Sequence, residues 1–257
     1  MISFFSSACG FVFVCMGNTL PASEIQVYSA FSLAEVLEAS VKDFKTLSKD
    51  SLIFNFWASN ILALQIQKGA PADLFLSADE EKMDVLEKKH CVMKNSRQSF
   101  LSNTLVIVAN SKNPLEIDSP KDLLSSSVKK IAMAESRSVP AGIYARKYFE
   151  TLGIWEALEM KIIPGENVRA TLAMVESGNV DLGIVYKTDA LLSKKIKISY
   201  AVPWNENPKI SYAFAVIQNG KNPAGALIYL RYLASQQGKQ LFQKYGFLVL
   251  ENVQRKK

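Results

Sequence analysis

The chain has 257 residues, 49% of them hydrophobic, and a formal net charge of +6. That apolar share excludes a disordered chain, and the length suffices to bury one large core or two smaller ones. The lysines are spread along the sequence and only Arg255, Lys256 and Lys257 approach a cluster, so the charge leaves no footprint for nucleic acid.

The first 22 residues carry no charged side chain, and Phe4 to Met16 is nearly continuous apolar and small residues. This run is shorter than the ~20 residues that span a bilayer as a helix, and it ends in turn-forming and small residues. Residues 1–22 therefore read as a signal peptide cut after Ala22, although the usual positive start is missing. An N-terminal anchor or a buried core segment is the other reading. Cys9 and Cys15 fall inside this stretch, so the mature chain keeps Cys91 alone and forms no internal disulfide. Phe13 and Val14 suit lipid attachment at Cys15 poorly. The expected location is periplasmic or otherwise extracytoplasmic.

From Ser23 onward short apolar runs alternate with amphipathic stretches, the pattern of parallel strands joined by crossover helices, and the fold class is α/β. In chain order, strands are predicted at Ile25 to Ala30, Leu52 to Trp57, Asp73 to Ser77, Leu105 to Ala109, Lys130 to Ala134, Lys161 to Ile163, Leu182 to Tyr186, Ile196 to Val202 and Ser211 to Gln218. Between them, Leu33, Val36, Leu37, Val41 and Phe44 recur at helical spacing and predict a helix from Ser32 to about Lys45. Further helices are expected from Ser59 to Lys68, Pro140 to Leu152 and Asn167 to Ser177, stopped by Gly69, Gly153 and Gly178. The Asp79-Glu80-Glu81 run suits the first turn of another, where the macrodipole favours negative charge. Composition marks no domain boundary.

Four helices thus begin directly after a strand or turn, at Ser32, Ser59, Pro140-Ala141 and Asn167-Val168. A helix start presents unpaired N–H groups and a partial positive charge, an anion site without a formal cation. Ligands of open α/β sheets also sit beyond the carboxyl ends of the strands, where such helices start. Each start has an ordinary reading as well. Ser32 and Glu35 make a capping box, Ser59 and Asn167 are common caps, and Pro140 is a common helix starter. Arg169 could lie near such a site or pair with Glu166 or Asp189.

Catalysis finds little support. The one histidine, His90, adjoins Cys91 in the charged stretch KKHCVMK, where adjacent residues point in different directions. Neither a His/Cys zinc pattern nor a glycine-rich nucleotide loop is present. The chain is expected not to be an enzyme and to need no cofactor.

The wording around the helix starts goes further. YSAFSL, FWASNILALQIQKGAPADLFLSAD, VPAGIYARKYFETLGIWEALEMKIIPGENVRATLAMVESG, LGIVYKTDA and FQKYGF follow one another in an order that resembles the periplasmic molybdate-binding proteins over nearly the whole mature length. The resemblance implies a two-lobed periplasmic binding protein fold of type II, with the ligand cleft between the lobes. Lobe I would take residues 23–104 and 205–257, and lobe II residues 105–204. It implies an oxyanion ligand, molybdate or tungstate, delivered to a membrane ABC permease by a monomer. It also implies ligand contacts from Ser32 and Ser59 through hydroxyl and N–H, from Ala141 and Val168 through backbone N–H, and from Tyr186 through its phenol. All five supply neutral donors, which suits a fully deprotonated dianion. Phe31, Trp57 and Asn60 depart from the small residues of the family, and would either narrow the pocket or pack behind it. Sulfate or another oxyanion, an iron chelate or organic anion, and an intracellular anion sensor on the same fold are the competing expectations; the sensor would need a DNA-binding module, and no helix-turn-helix precedes Glu24.

Overall fold

A computed structural model describes residues 23–250, so the expected signal peptide lies outside the described residues. Eleven strands among these residues form two sheets. The first sheet opens with β1 (Glu24–Ala30), β2 (Ser51–Trp57), β3 (Leu74–Ser77) and β4 (Gln98–Ser102). The chain then crosses to a second sheet of β5 (Leu105–Asn110), β6 (Ile131–Ala134), β7 (Ile162–Gly165), β8 (Leu182–Tyr186) and β9 (Ile196–Ala201). It returns to the first with β10 (Tyr212–Val216) and β11 (Leu248–Val249). The strand orders are β11-β4-β10-β3-β1-β2 and β7-β6-β8-β5-β9.

Burial follows sheet position. The inner strands β3, β8 and β10 are buried at every residue, whereas β2, at an edge, is half-covered. Inner strands covered on both faces read as unbroken apolar runs, which is why LFLS, LGIVY and YAFAV stood out in the sequence.

Nine α-helices pack around the sheets: α1 (Ala34–Phe44), α2 (Ser59–Gln67), α3 (Glu80–Lys88), α4 (Pro140–Thr151), α5 (Trp155–Glu159), α6 (Val168–Glu176), α7 (Lys187–Ala190), α8 (Pro223–Ala234) and α9 (Gln236–Lys244) among the described residues. Val36, Leu37 and Phe44 bury the inner face of α1 as their spacing requires. Gly69, Gly153 and Gly178 end α2, α4 and α6 at φ of +89°, +68° and +73°, a conformation that side chains with a Cβ resist.

Three expectations are corrected. The sheets are mixed: β1 runs parallel to β2 and β3, and β6 to β7 and β8, but β10 and β11 pair antiparallel in the first sheet and β5 in the second. A right-handed crossover helix forces parallel neighbours, whereas strands arriving from the other sheet have no such constraint. Strands β4 and β11 were not expected. Nor does the first helix start at Ser32: Phe31–Leu33 form a 3-10 turn, and α1 begins at Ala34.

Two asparagines tie the crossing segments together. Asn207 Nδ2 donates to the Asn103 carbonyl at 3.0 Å and Asn207 Oδ1 accepts from the Leu105 N–H at 3.0 Å. Both crossings therefore form one hydrogen-bonded waist between the lobes.

Candidate functional site

The carboxyl ends of β1, β2 and β3 deliver Ser32, Ser59 and Ala78 to one side of a cavity of about 250 Å³, its mouth included. From the other side come Pro140 and Ala141 at the start of α4, Val168 at the start of α6, and Tyr186 at the end of β8. All five residues expected to hold the ligand, Ser32, Ser59, Ala141, Val168 and Tyr186, thus line one cavity between the two sheets. Among the described residues, none of those lining it is charged. Only about 20 Å³ of it admits the centre of a water-sized sphere, so it suits a small ligand.

The serines are not the caps that local sequence suggests. Ala30, ahead of the 3-10 turn, and Leu33, ahead of α1, make no side-chain cap, so the Ser32-Glu35 box does not form. Ser32 is drawn away because its Oγ lies 3.1 Å from the Tyr212 hydroxyl, while Glu35 pairs with Arg169. Ser59 is the first residue of α2 rather than its cap, and its Oγ accepts from the Ala78 N–H at 3.0 Å. A hydroxyl carries one proton, so Ser59, already accepting from an obligatory donor, keeps its own proton to donate.

The helix starts are open in the same sense. Ala58 and Val139, which precede α2 and α4, cap nothing with their side chains, and Pro140 has no N–H to satisfy. Asn167 does cap α6, as expected, but its Oδ1 takes the Arg169 and Ala170 N–H groups at 2.9 Å each and leaves that of Val168. Tyr186 is buried, and its hydroxyl finds no hydrogen-bond partner among the described residues. Burial pushes that phenol far above its ordinary pKa, so it stays a neutral donor. A buried polar group left without a partner costs about 1–3 kcal/mol, a cost that a ligand oxygen in the cavity would remove.

Arg169 resolves differently from either sequence expectation alone. Its Nε lies 3.1 Å from Asp189 Oδ1, as foreseen, without the alignment of a hydrogen bond; Glu166 is not its partner, and a second ion pair runs to Glu35 on α1 in the opposite lobe. Asp189 is fully buried, and that burial lifts its pKa to about 7 against the opposing pull of Arg169. The guanidinium therefore links the lobes beside the cavity without entering it.

Of the three departures from the family pattern, Phe31 and Trp57 line the cavity, their rings 6.4 Å apart, and so narrow it. Asn60 does neither of the two things expected. Its Nδ2 donates to Ser138 Oγ of the other lobe at 3.1 Å, which makes it a second link across the cleft. His90 is exposed just past the end of α3 at φ +57° and is not among the residues that line the cavity.

The family model for bacterial extracellular solute-binding proteins matches residues 25–248, nearly all of the described chain. This chain is a bacterial extracellular solute-binding protein. Among the relatives of this solute-binding protein, the molybdate-binding protein ModA of Escherichia coli (strain K12) is 36% identical over 242 residues, covering 92% of this chain and 94% of that protein. A solved structure of the substrate-binding domain of a putative molybdenum ABC transporter from Clostridium difficile superposes with a TM-score of 0.70 at 32% identity, covering 90% of this chain and 100% of that one. The periplasmic molybdate-binding protein of Azotobacter vinelandii superposes more closely, with a TM-score of 0.80 over 88% of this chain and 100% of its own, at 20% identity, a likeness of fold. The resemblance read from the sequence motifs and the two-lobed fold it implied are both borne out.

Proposed function

We propose that this solute-binding protein captures molybdate or tungstate outside the cytoplasmic membrane and delivers it to an ABC permease. One observation carries the reading: a small cavity walled only by neutral groups, into which two serine hydroxyls, open helix starts and the orphaned Tyr186 hydroxyl converge. A tetrahedral dianion accepts at every oxygen, so a donor-only wall meets it all round. A protonated anion would turn one of its oxygens into a donor facing donors, and losing that contact costs affinity.

In this reading Ser32 and Ser59 bind from lobe I (residues 23–104 and 205–257), and Ala141, Val168 and Tyr186 from lobe II (residues 105–204). The anion bridges the lobes and favours their closed arrangement by its differential affinity for it. The closed form is what the permease recognises. Residues 1–22 direct export, and the protein works as a monomer without cofactor, nucleic acid or catalytic step.

Isothermal titration of the protein from Ser23 onward, stripped of anion by unfolding and refolding, tests this with molybdate, tungstate, sulfate and phosphate. Tight one-to-one binding of molybdate and tungstate alone is expected. Silence toward molybdate, or tighter binding of sulfate, overturns the choice of anion.

A further inference from the structure

The two cavity serines must both donate, yet only Ser59 has a backbone N–H that compels it. Ser32 faces another hydroxyl, that of Tyr212, across 3.1 Å, and either oxygen of such a pair can be the donor. The direction is decided one step further back. Asn103 Oδ1 accepts from the Thr104 N–H at 2.9 Å, and a backbone N–H can only donate, so the amide orientation is fixed. Asn103 Nδ2 therefore points its two protons at Thr188 Oγ1, 2.9 Å away, and at the Tyr212 hydroxyl, 3.2 Å away.

Accepting from Asn103, the Tyr212 phenol sends its single proton to its other neighbour, Ser32 Oγ. Ser32, accepting in turn, turns its own proton into the cavity. We propose that Asn103 and Tyr212 are specificity-determining positioning residues, a one-way donor chain that holds Ser32 as a donor and denies a protonated oxyanion its acceptor. Asn103 and Tyr212 are both fully buried, so water offers no alternative partner, and burial keeps the phenol protonated. The chain starts in the first crossing segment, and its branch to Thr188 reaches the element that follows Tyr186. The polarity of a lobe I ligand is thus set from the waist between the lobes.

This inference rests on the proposed anion-binding function, and one set of titrations separates the two. Wild type, Tyr212→Phe, Ser32→Ala and the double variant are titrated with molybdate and with phosphate at neutral pH. In Tyr212→Phe the Ser32 hydroxyl is free to accept, so molybdate should weaken about tenfold while phosphate holds or gains; in the Ser32→Ala background the same substitution should change neither. Asn103→Leu, which removes the head of the chain from another segment, should narrow the molybdate-to-phosphate ratio in the same direction and covers the case in which Tyr212→Phe folds poorly. Equal losses for both anions, or an undiminished Tyr212→Phe effect beside Ser32→Ala, would mean that these side chains only pack, and the donor chain falls while the function stands. A wild type that binds neither anion sinks the functional reading and the donor chain with it.

Discussion

Most helix starts in this molecule come in two kinds; the short α5, uncapped at Ile154 and not part of the cavity wall, belongs to neither. Those of α3, α8 and α9 place no capping residue in the cavity wall, although α3 starts just past Ala78, and are closed by their own side chains: Asp79 accepts from Lys82, Asn222 from Gly225 and Ser235 from Gly238. Those of the 3-10 turn, α2 and α4 line the cavity and carry Ala30, Ala58 and Val139 at the capping position, with no side-chain cap. The start of α6 lies between, because Asn167 takes two N–H groups and leaves the first. A missing cap costs a helix about 1 kcal/mol, and here the deficit is concentrated where the lobes meet. The fold gives up local satisfaction at the site so that backbone donors remain for a ligand.

The largest effect should come from closing an open start. In Ala58→Asp the new carboxylate would cap α2 and stand in the cavity wall. Two unit charges about 4 Å apart repel by about 4 kcal/mol at an effective dielectric near 20, and a dianion doubles that, so molybdate affinity should fall at least a thousandfold. The ligand-free protein should unfold at nearly the same temperature, the cap offsetting the buried charge. Retained binding by titration would break the distinction between the two kinds of start.

The sequence showed more of the site than of the fold around it. Ser59, Pro140 and Asn167 announced helix starts because the residues after them keep helical spacing until a glycine, and Tyr186 ended an unbroken apolar run. What it could not show is where side chains go once lobes meet. Ser32 and Glu35 satisfy the local rule for a capping box, but Tyr212 and Arg169, distant in sequence, offer better partners. The parallel reading failed for the same reason, since nothing local marks β10 as a strand returning from another sheet. The inner face of α8 was legible and passed over: Ala226, Tyr229, Leu230 and Leu233 keep helical spacing and are buried. Asn103 had no signal at all, being the middle of three polar residues, Ser102 to Thr104, in a crossing segment.

A smaller effect should follow from moving an open start without closing it. A Cβ on Gly142 would lie 2.2 Å from the Ala134 carbonyl oxygen and 2.4 Å from that of Glu135, so α4 sits directly against the end of β6. Gly142→Ala must push the helix start outward and carry the Ala141 N–H with it. Overpacking of this kind costs about 1–3 kcal/mol. Molybdate should bind about tenfold more weakly, with a lower unfolding temperature. Unchanged affinity by titration would remove Ala141 from the set of ligand donors.

The smallest effect belongs to a closed start and serves as the control. Ser235 is bonded twice, accepting from Gly238 N–H at 3.2 Å and donating to the Tyr232 carbonyl at 2.6 Å, and neither bond approaches the cavity. Ser235→Ala should cost about 1 kcal/mol of stability, which for a chain of this size lowers the unfolding midpoint by about 2–4 °C. Molybdate affinity should not change, because α9 contributes nothing to the wall and its cap faces no ligand. Should affinity drop along with stability, the open starts would owe their role to general tightness of the fold, and the contrast between Ala58 and Ser235 would lose its meaning.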